Sequence, residues 1–321
     1  MQACLLLPTG NVPSAAKNND DMNSPNRFCS KCGKEVAPEA NFCPGCGAAI
    51  PKEAPPPPAA PHAPDLASLS GPCVLFRTNA GIYSVGAVGK VLGKALGKPL
   101  SDVTRQVNVS RGVLAEEMDA ETVRRIVPEL KALGVECLAV PRDRIVAFPE
   151  TAQLRVGQFT QAGLKCEVVT WDGWELVERP WSAAALVSCT QLVTESAKVV
   201  DLGSGVLRWK EKVVTEVIRR ALLDIFVRDP LRHIRIEEFM PGQSSGPETS
   251  PGHPIAFLRD VAKQALEAVP AANLNDGVGL LAEGAVGEQF NSVAFATRRD
   301  IDQYNLWLIE LLEYGYAMPR G

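Results

Sequence analysis

Three observations predict a multidomain chain of the α+β class. Residues 27–50 hold two matched Cys-x-x-Cys units, and residues 51–71 are dense in proline. From residue 72 strand-like and helical segments alternate, and past residue 151 they give way to closely spaced β-prone runs. The expected parts, in order, are a disordered N-terminus (1–26), a cysteine-bearing ribbon (27–50), a Pro-rich linker (51–71), a small α/β sandwich (72–150) and a β-rich, barrel-like module closed by a C-terminal helix (151–321).

Composition narrows the classes of function. The 321 residues are 46% hydrophobic and 22% charged, an ordinary globular balance. A net charge of −4 and a pI near 5.6 give no global attraction to nucleic acid or acidic membranes, so nucleic acid is disfavoured as a partner. No apolar run approaches the roughly eighteen residues of a transmembrane helix. The apolar run before Pro8 is too short for a signal peptide, so the expected location is cytoplasmic, with Met22 as the expected native start. Of nine cysteines, Cys73, Cys137, Cys166 and Cys189 sit in apolar runs typical of reduced thiols.

In the ribbon, Phe28-Cys-Ser-Lys-Cys-Gly and Phe42-Cys-Pro-Gly-Cys-Gly are separated so that ten residues lie between Cys32 and Cys43. Two residues between cysteines let both thiolates of a tight turn face one ion, and Gly33 or Gly47 can take the positive φ that such a turn favours. Cys29, Cys32, Cys43 and Cys46 would then close a tetrahedron around one structural zinc, with no vacancy for substrate. Paired disulfides and a rubredoxin-like iron site are the alternatives. The stretch from Arg27 to Ile50 resembles the zinc-ribbon family found at bacterial chain termini, a resemblance that implies contact or anchoring and no reaction. So short a ribbon buries little apolar surface, so the ion should supply most of its folding free energy, on the order of 10 kcal/mol.

Pro51 to Pro64 favours polyproline II geometry; its fourteen residues could hold the ribbon roughly 40 Å from the next folded segment. Beyond it, Cys73–Thr78, Gly112–Met118 and Glu136–Val140 read as strands, and Val85–Gly97 and Asp119–Leu133 as helices. Asp119 can cap the second helix and Gly134 can stop it, with a kink expected at Pro128. The stretches Val88 to Lys98 and Gly112 to Cys137 are similar to the C-terminal domain of the ribosomal stalk protein family. There a lysine-bearing helix contacts translational GTPases, which would carry over to Lys90, Lys94 and Lys98. This chain has Gly97-Lys-Pro-Leu where that family has Gly-Leu-Gly-Leu. Read without the resemblance, the lysines form a solvated face or a basic contact patch, and Gly89, Gly93 and Gly97 would seat the helix close to its sheet.

Past residue 151, Leu154–Val156, Leu164–Val169, Trp174–Val177 and Ala185–Leu192 are β-prone, with a hairpin at Trp171-Asp-Gly-Trp. A second hairpin is expected at Asp229-Pro230, and helices at Ile255–Val269 and Arg299–Tyr314. This order resembles pleckstrin-homology or GRAM domains, which implies binding of a protein, a peptide or a phosphoinositide-like head group. No lipid-binding residue transfers, because no motif carries the likeness.

Signs of catalysis are sparse. Val199-Val-Asp-Leu-Gly-Ser-Gly resembles the first motif of S-adenosylmethionine-dependent methyltransferases, which would employ Asp201, Gly203 and Gly205, with a helix expected over Lys210–Leu222. Leu207 stands where a third glycine belongs. Ser244 has nucleophile-elbow spacing but lies in a proline-rich loop, and His62, His233 and His253 fall in a linker, a strand and a loop. Glu116 with Glu117, and Glu237 with Glu238, are strand neighbours that point to opposite faces. The five tryptophans read as core or rim anchors. The expected function is a non-catalytic zinc-binding adaptor for a protein partner; the alternative is a methyltransferase.

Overall fold

A computed structural model of the chain describes residues 27–28, 35–36, 63–79, 81–201, 211–237, 254–285 and 287–319. The chain divides into two units, residues 1–58 and residues 59–321. In the first, strands β1 (Arg27–Phe28) and β2 (Glu35–Val36) pair antiparallel, Arg27 opposite Val36 and Phe28 opposite Glu35.

The second unit opens with a three-stranded antiparallel sheet whose centre is β3 (Pro72–Arg77), flanked by β4 (Val113–Asp119) and β5 (Cys137–Pro141). Its connections carry α1 (Val85–Leu96), α2 (Leu100–Ser110) and α3 (Ala120–Ala132). The pleat of β3 sends Cys73 and Leu75 towards the three helices, where they pack with Val88, Leu92, Val103, Ile126 and Leu130. The ends of α3 are those the sequence proposes: Asp119 accepts from the Thr122 N–H at 2.8 Å, and Gly134, with φ of 81°, follows the last turn. Gly97 ends α1 with φ of 63°. The helix α3 continues through Pro128. Gly89 and Gly93 serve a different neighbour from the one expected: a Cβ on Gly89 would lie 2.6 Å from Thr104 Oγ1, so the close approach is to α2 and not to the sheet.

The opposite face of the small sheet, with Val74, Phe76, Leu138 and Val140, joins the core of a larger sheet. That sheet contains β6 (Thr151–Thr160), β7 (Gly163–Thr170), β8 (Gly173–Pro180), β9 (Ala184–Asp201), β10 (Glu211–Val227), β11 (Arg232–Glu237) and β12 (Ala294–Phe295). Its order is β12-β9-β10-β11-β6-β7-β8. The helices α4 (Pro254–Ala268), α5 (Asp276–Ala282) and α6 (Arg298–Glu313) complete the unit.

The barrel-like expectation is corrected here. Among the described residues the end strands β8 and β12 do not pair with each other, and β11 runs parallel to β6, with Ile234 opposite Ala152, so an open mixed sheet forms in place of a closed meander. The helix expected over Lys210–Leu222 is also corrected, since Glu211–Val227 is strand, antiparallel to β9 along its length. The hairpins at Trp171–Asp172 and Asp229–Pro230 form where expected.

The helix α6 touches both sheets. Trp307 Nε1 donates to the Arg77 carbonyl on β3 at 2.6 Å, Gln303 donates to Glu116 on β4, and Asn305 donates to Asp224 on β10 at 2.8 Å. The end of α2 is tied down by Arg111, whose guanidinium donates to the Asn291 and Ala294 carbonyls at 2.9 and 3.0 Å.

Candidate functional site

The pairing of Arg27–Phe28 with Glu35–Val36 makes the chain reverse between Phe28 and Glu35, and this reversal contains Cys29 and Cys32. Cys29, Cys32, Cys43 and Cys46 themselves lie outside the described residues. As a donor set, four thiolates without histidine suit zinc in closed tetrahedral coordination. Among the described residues no cluster of His, Cys, Asp or Glu could hold a metal.

Inside the second unit, sequence reasoning missed a buried ionic network centred on Asp224. Its Oδ1 accepts from His233 Nε2 at 2.8 Å and from Arg235 Nε at 2.7 Å, while Oδ2 accepts from Arg235 Nη2 at 3.1 Å and Asn305 Nδ2 at 2.8 Å. Arg235 Nη2 also donates to Asp302 Oδ1 at 2.7 Å, and His233 Nδ1 lies 3.0 Å from Thr151 Oγ1. Burial alone would raise the Asp224 carboxyl, but the His233 hydrogen bond and the Arg235 guanidinium outweigh it and hold the pKa down at about 2. The His233 ring stacks on Phe226 at 4.3 Å and is met edge-on by Phe148. Every Asp224 lone pair and both imidazole nitrogens are engaged, which leaves neither group free as a base. The network fixes the register of β10, β11 and α6. Its one sequence signal is Asp224 inside the apolar run Ala221–Val227.

Glu310 on α6 is a second buried acid. Its Oε1 accepts from the Val146 N–H at 2.6 Å and its Oε2 has no partner. Burial pushes its pKa up to about 7, opposed by the Val146 hydrogen bond and reinforced by Glu313. Nearby, Phe76, Val113, Glu116, Arg142, Phe148 and Leu306 line part of a cleft of about 410 Å³.

The other residues singled out from sequence do not converge. Lys90 and Lys94 are exposed on α1 and Lys98 lies beyond its Gly97 cap. Asp201 ends β9 opposite Glu211 of β10, so a returning antiparallel strand occupies the place of the helix that a dinucleotide-type unit requires. Gly203, Gly205, His62, Ser244, His253, Trp209 and Glu238 lie outside the described residues. Glu116 faces the cleft while Glu117 is exposed, as strand alternation requires. Trp181 and Trp307 are buried, whereas Trp171 and Trp174 are 89% and 68% exposed.

Residues 28–50 match the zinc-ribbon domain family, so this segment is a zinc ribbon. No curated protein and no solved structure matches the chain.

Proposed function

We propose that the chain is a non-catalytic adaptor whose N-terminal ribbon is folded by one zinc ion and whose work is to bind protein. Cys29, Cys32, Cys43 and Cys46 would hold the ion. The zinc supplies structural cross-linking, because four thiolates leave no coordination position for water or substrate. The observation that carries the reading is the zinc-ribbon match at residues 28–50, which covers both Cys-x-x-Cys units. The buried network supports it: Asp224, a fully buried carboxylate, is saturated by hydrogen bonds, as a structural group would be.

The test is affinity capture with the full chain beside a chain lacking residues 1–50, with zinc measured in both. Loss of specific partners together with loss of one zinc per chain supports the ribbon as the contact module. A full-length preparation that holds no metal, or turnover of S-adenosylmethionine by the chain, would overturn the reading.

A further inference from the structure

The β6–β8 hairpins expose an unusual amount of apolar surface. Val169 lies opposite Trp174, Glu167 opposite Leu176, and Val156 opposite Glu167. Leu164, Cys166 and Val168 point into the core, so strand alternation places Val156, Val169, Trp174 and Leu176 together on the outward face. Trp171, 89% exposed, stands at the hairpin tip beside them. Five of the eleven exposed large hydrophobic residues in the described parts of the chain are therefore in this one patch. Clustered exposed aromatic and aliphatic side chains mark interaction surfaces, and tryptophan is over-represented where interfaces draw most of their energy.

Two further features say what fits there. The strand β8 ends the sheet, so among the described residues its outer edge has no neighbour and can take an added strand. The surrounding charge is negative. From residue 150 to the end of β8, Glu150, Glu167, Asp172, Glu175 and Glu178 stand against Arg155, Lys165 and Arg179, five carboxylates and three bases, a local charge of −2. The bases are already engaged, Arg155 with Glu167 at 3.4 Å, Lys165 with Glu178 at 3.3 Å and Arg179 with the Glu178 and Asp229 carbonyls, and Glu175 pairs with Arg232. Beside Trp171 stand Asp172 and Glu150, whose Oε1 accepts from the Trp171 N–H at 3.3 Å. Carboxylates flanking an open indole favour a Lys or Arg side chain and repel an anionic lipid surface.

We propose that the outward face and free edge of β8 bind an extended segment of a partner protein in which apolar and basic residues alternate. The apolar side chains would lie on Trp174 and Leu176, and the cations beside Trp171, Glu150 and Asp172. The proposal deepens the adaptor reading and rests on it for the class of partner.

The test titrates the full, zinc-loaded chain with a synthetic peptide of alternating leucine and lysine. A leucine–glutamate peptide and anionic and zwitterionic vesicles serve as parallel probes, followed by calorimetry and tryptophan emission. The expected result is a blue shift with the leucine–lysine peptide and an affinity at least about tenfold above that for the leucine–glutamate peptide. Trp174→Ser, at an exposed position and checked for an unchanged melting temperature, should weaken binding at least about tenfold. Equal binding of both peptides, an unaffected Trp174→Ser variant, vesicle binding in place of peptide binding, or concentration-dependent self-association abolished by Trp174→Ser would each overturn the proposal. Metal content of the same sample separates the two failures: zinc retained without peptide binding sinks the patch alone, and zinc absent sinks the ribbon reading.

Discussion

Arg235 grips Asp224 with two parallel hydrogen bonds, Nε to Oδ1 at 2.7 Å and Nη2 to Oδ2 at 3.1 Å, and both side chains are almost wholly removed from solvent. Two adjacent strands are thereby locked in one register, Asp224 on β10 directly opposite Arg235 on β11. Removing one partner of a buried ion pair strands the other, so Arg235→Met should cost about 3–5 kcal/mol in urea unfolding. The double variant Asp224→Leu with Arg235→Met should cost less than the two single losses added together. Additive losses would show that the pair is not energetically coupled.

Glu310 sets a pH dependence of opposite sign to that of Asp224. Its folded-state pKa of about 7 lies above the ordinary carboxyl value of 4.5, so the unfolded chain releases this proton first and stability falls as pH rises from about 4.5 to 7. Glu310→Gln keeps an acceptor for the Val146 N–H and removes the charge. It should therefore leave stability near pH 4.5 little changed and raise it by about 1–3 kcal/mol at pH 8, read from denaturation midpoints at several pH values. Asp224, held low at about 2, contributes stability above its ordinary value near 3.8 that is lost as pH falls through about 2.

Thiol chemistry should separate the two units. Burial raises the pKa of Cys137 and Cys166 to about 12, and Cys73 and Cys189 are fully buried with raised values as well. These four should resist a disulfide reagent in the native protein, whereas chelation of zinc should release four fast-reacting thiols from the ribbon. A cobalt-substituted sample should show the spectrum of four thiolates, and Cys43→Ser should reduce that to three. Rapid labelling of the ribbon thiols before chelator is added would contradict zinc ligation.

Gly112 lies against the Trp307 ring so closely that a Cβ there would overlap it. The ring is held by its hydrogen bond to the Arg77 carbonyl, so it cannot swing away freely. Gly112→Ala should cost about 1–3 kcal/mol or more by overpacking, visible as a lowered thermal midpoint.

What could be read from sequence was local. The Asp119 cap, the Gly134 stop and the Trp171–Asp172 hairpin each depend on residues a few positions apart, and each is found. The run Glu211–Leu222 misled because its charges and apolar residues recur at helical spacing, while Val213, Val214, Val217 and Ile218 are β-branched; pairing with β9, decided across the chain, settled the matter. The parallel contact of β11 with β6 joins residues some eighty positions apart, and no periodicity announces it. Of the candidate sites, the cysteines are legible by spacing, but the Asp224 network is assembled from Thr151, His233, Arg235, Asp302 and Asn305, distant residues whose individual contexts look ordinary.

Because α6 is wedged between the small sheet through Trp307 and the large one through Asn305 and Asp302, neither sheet keeps its cover when that helix leaves. Melting of residues 59–321 should therefore be a single event. Proteolytic clipping ahead of Arg298 would abolish both layers at once, and the last two dozen residues act as the keystone of everything beyond the linker.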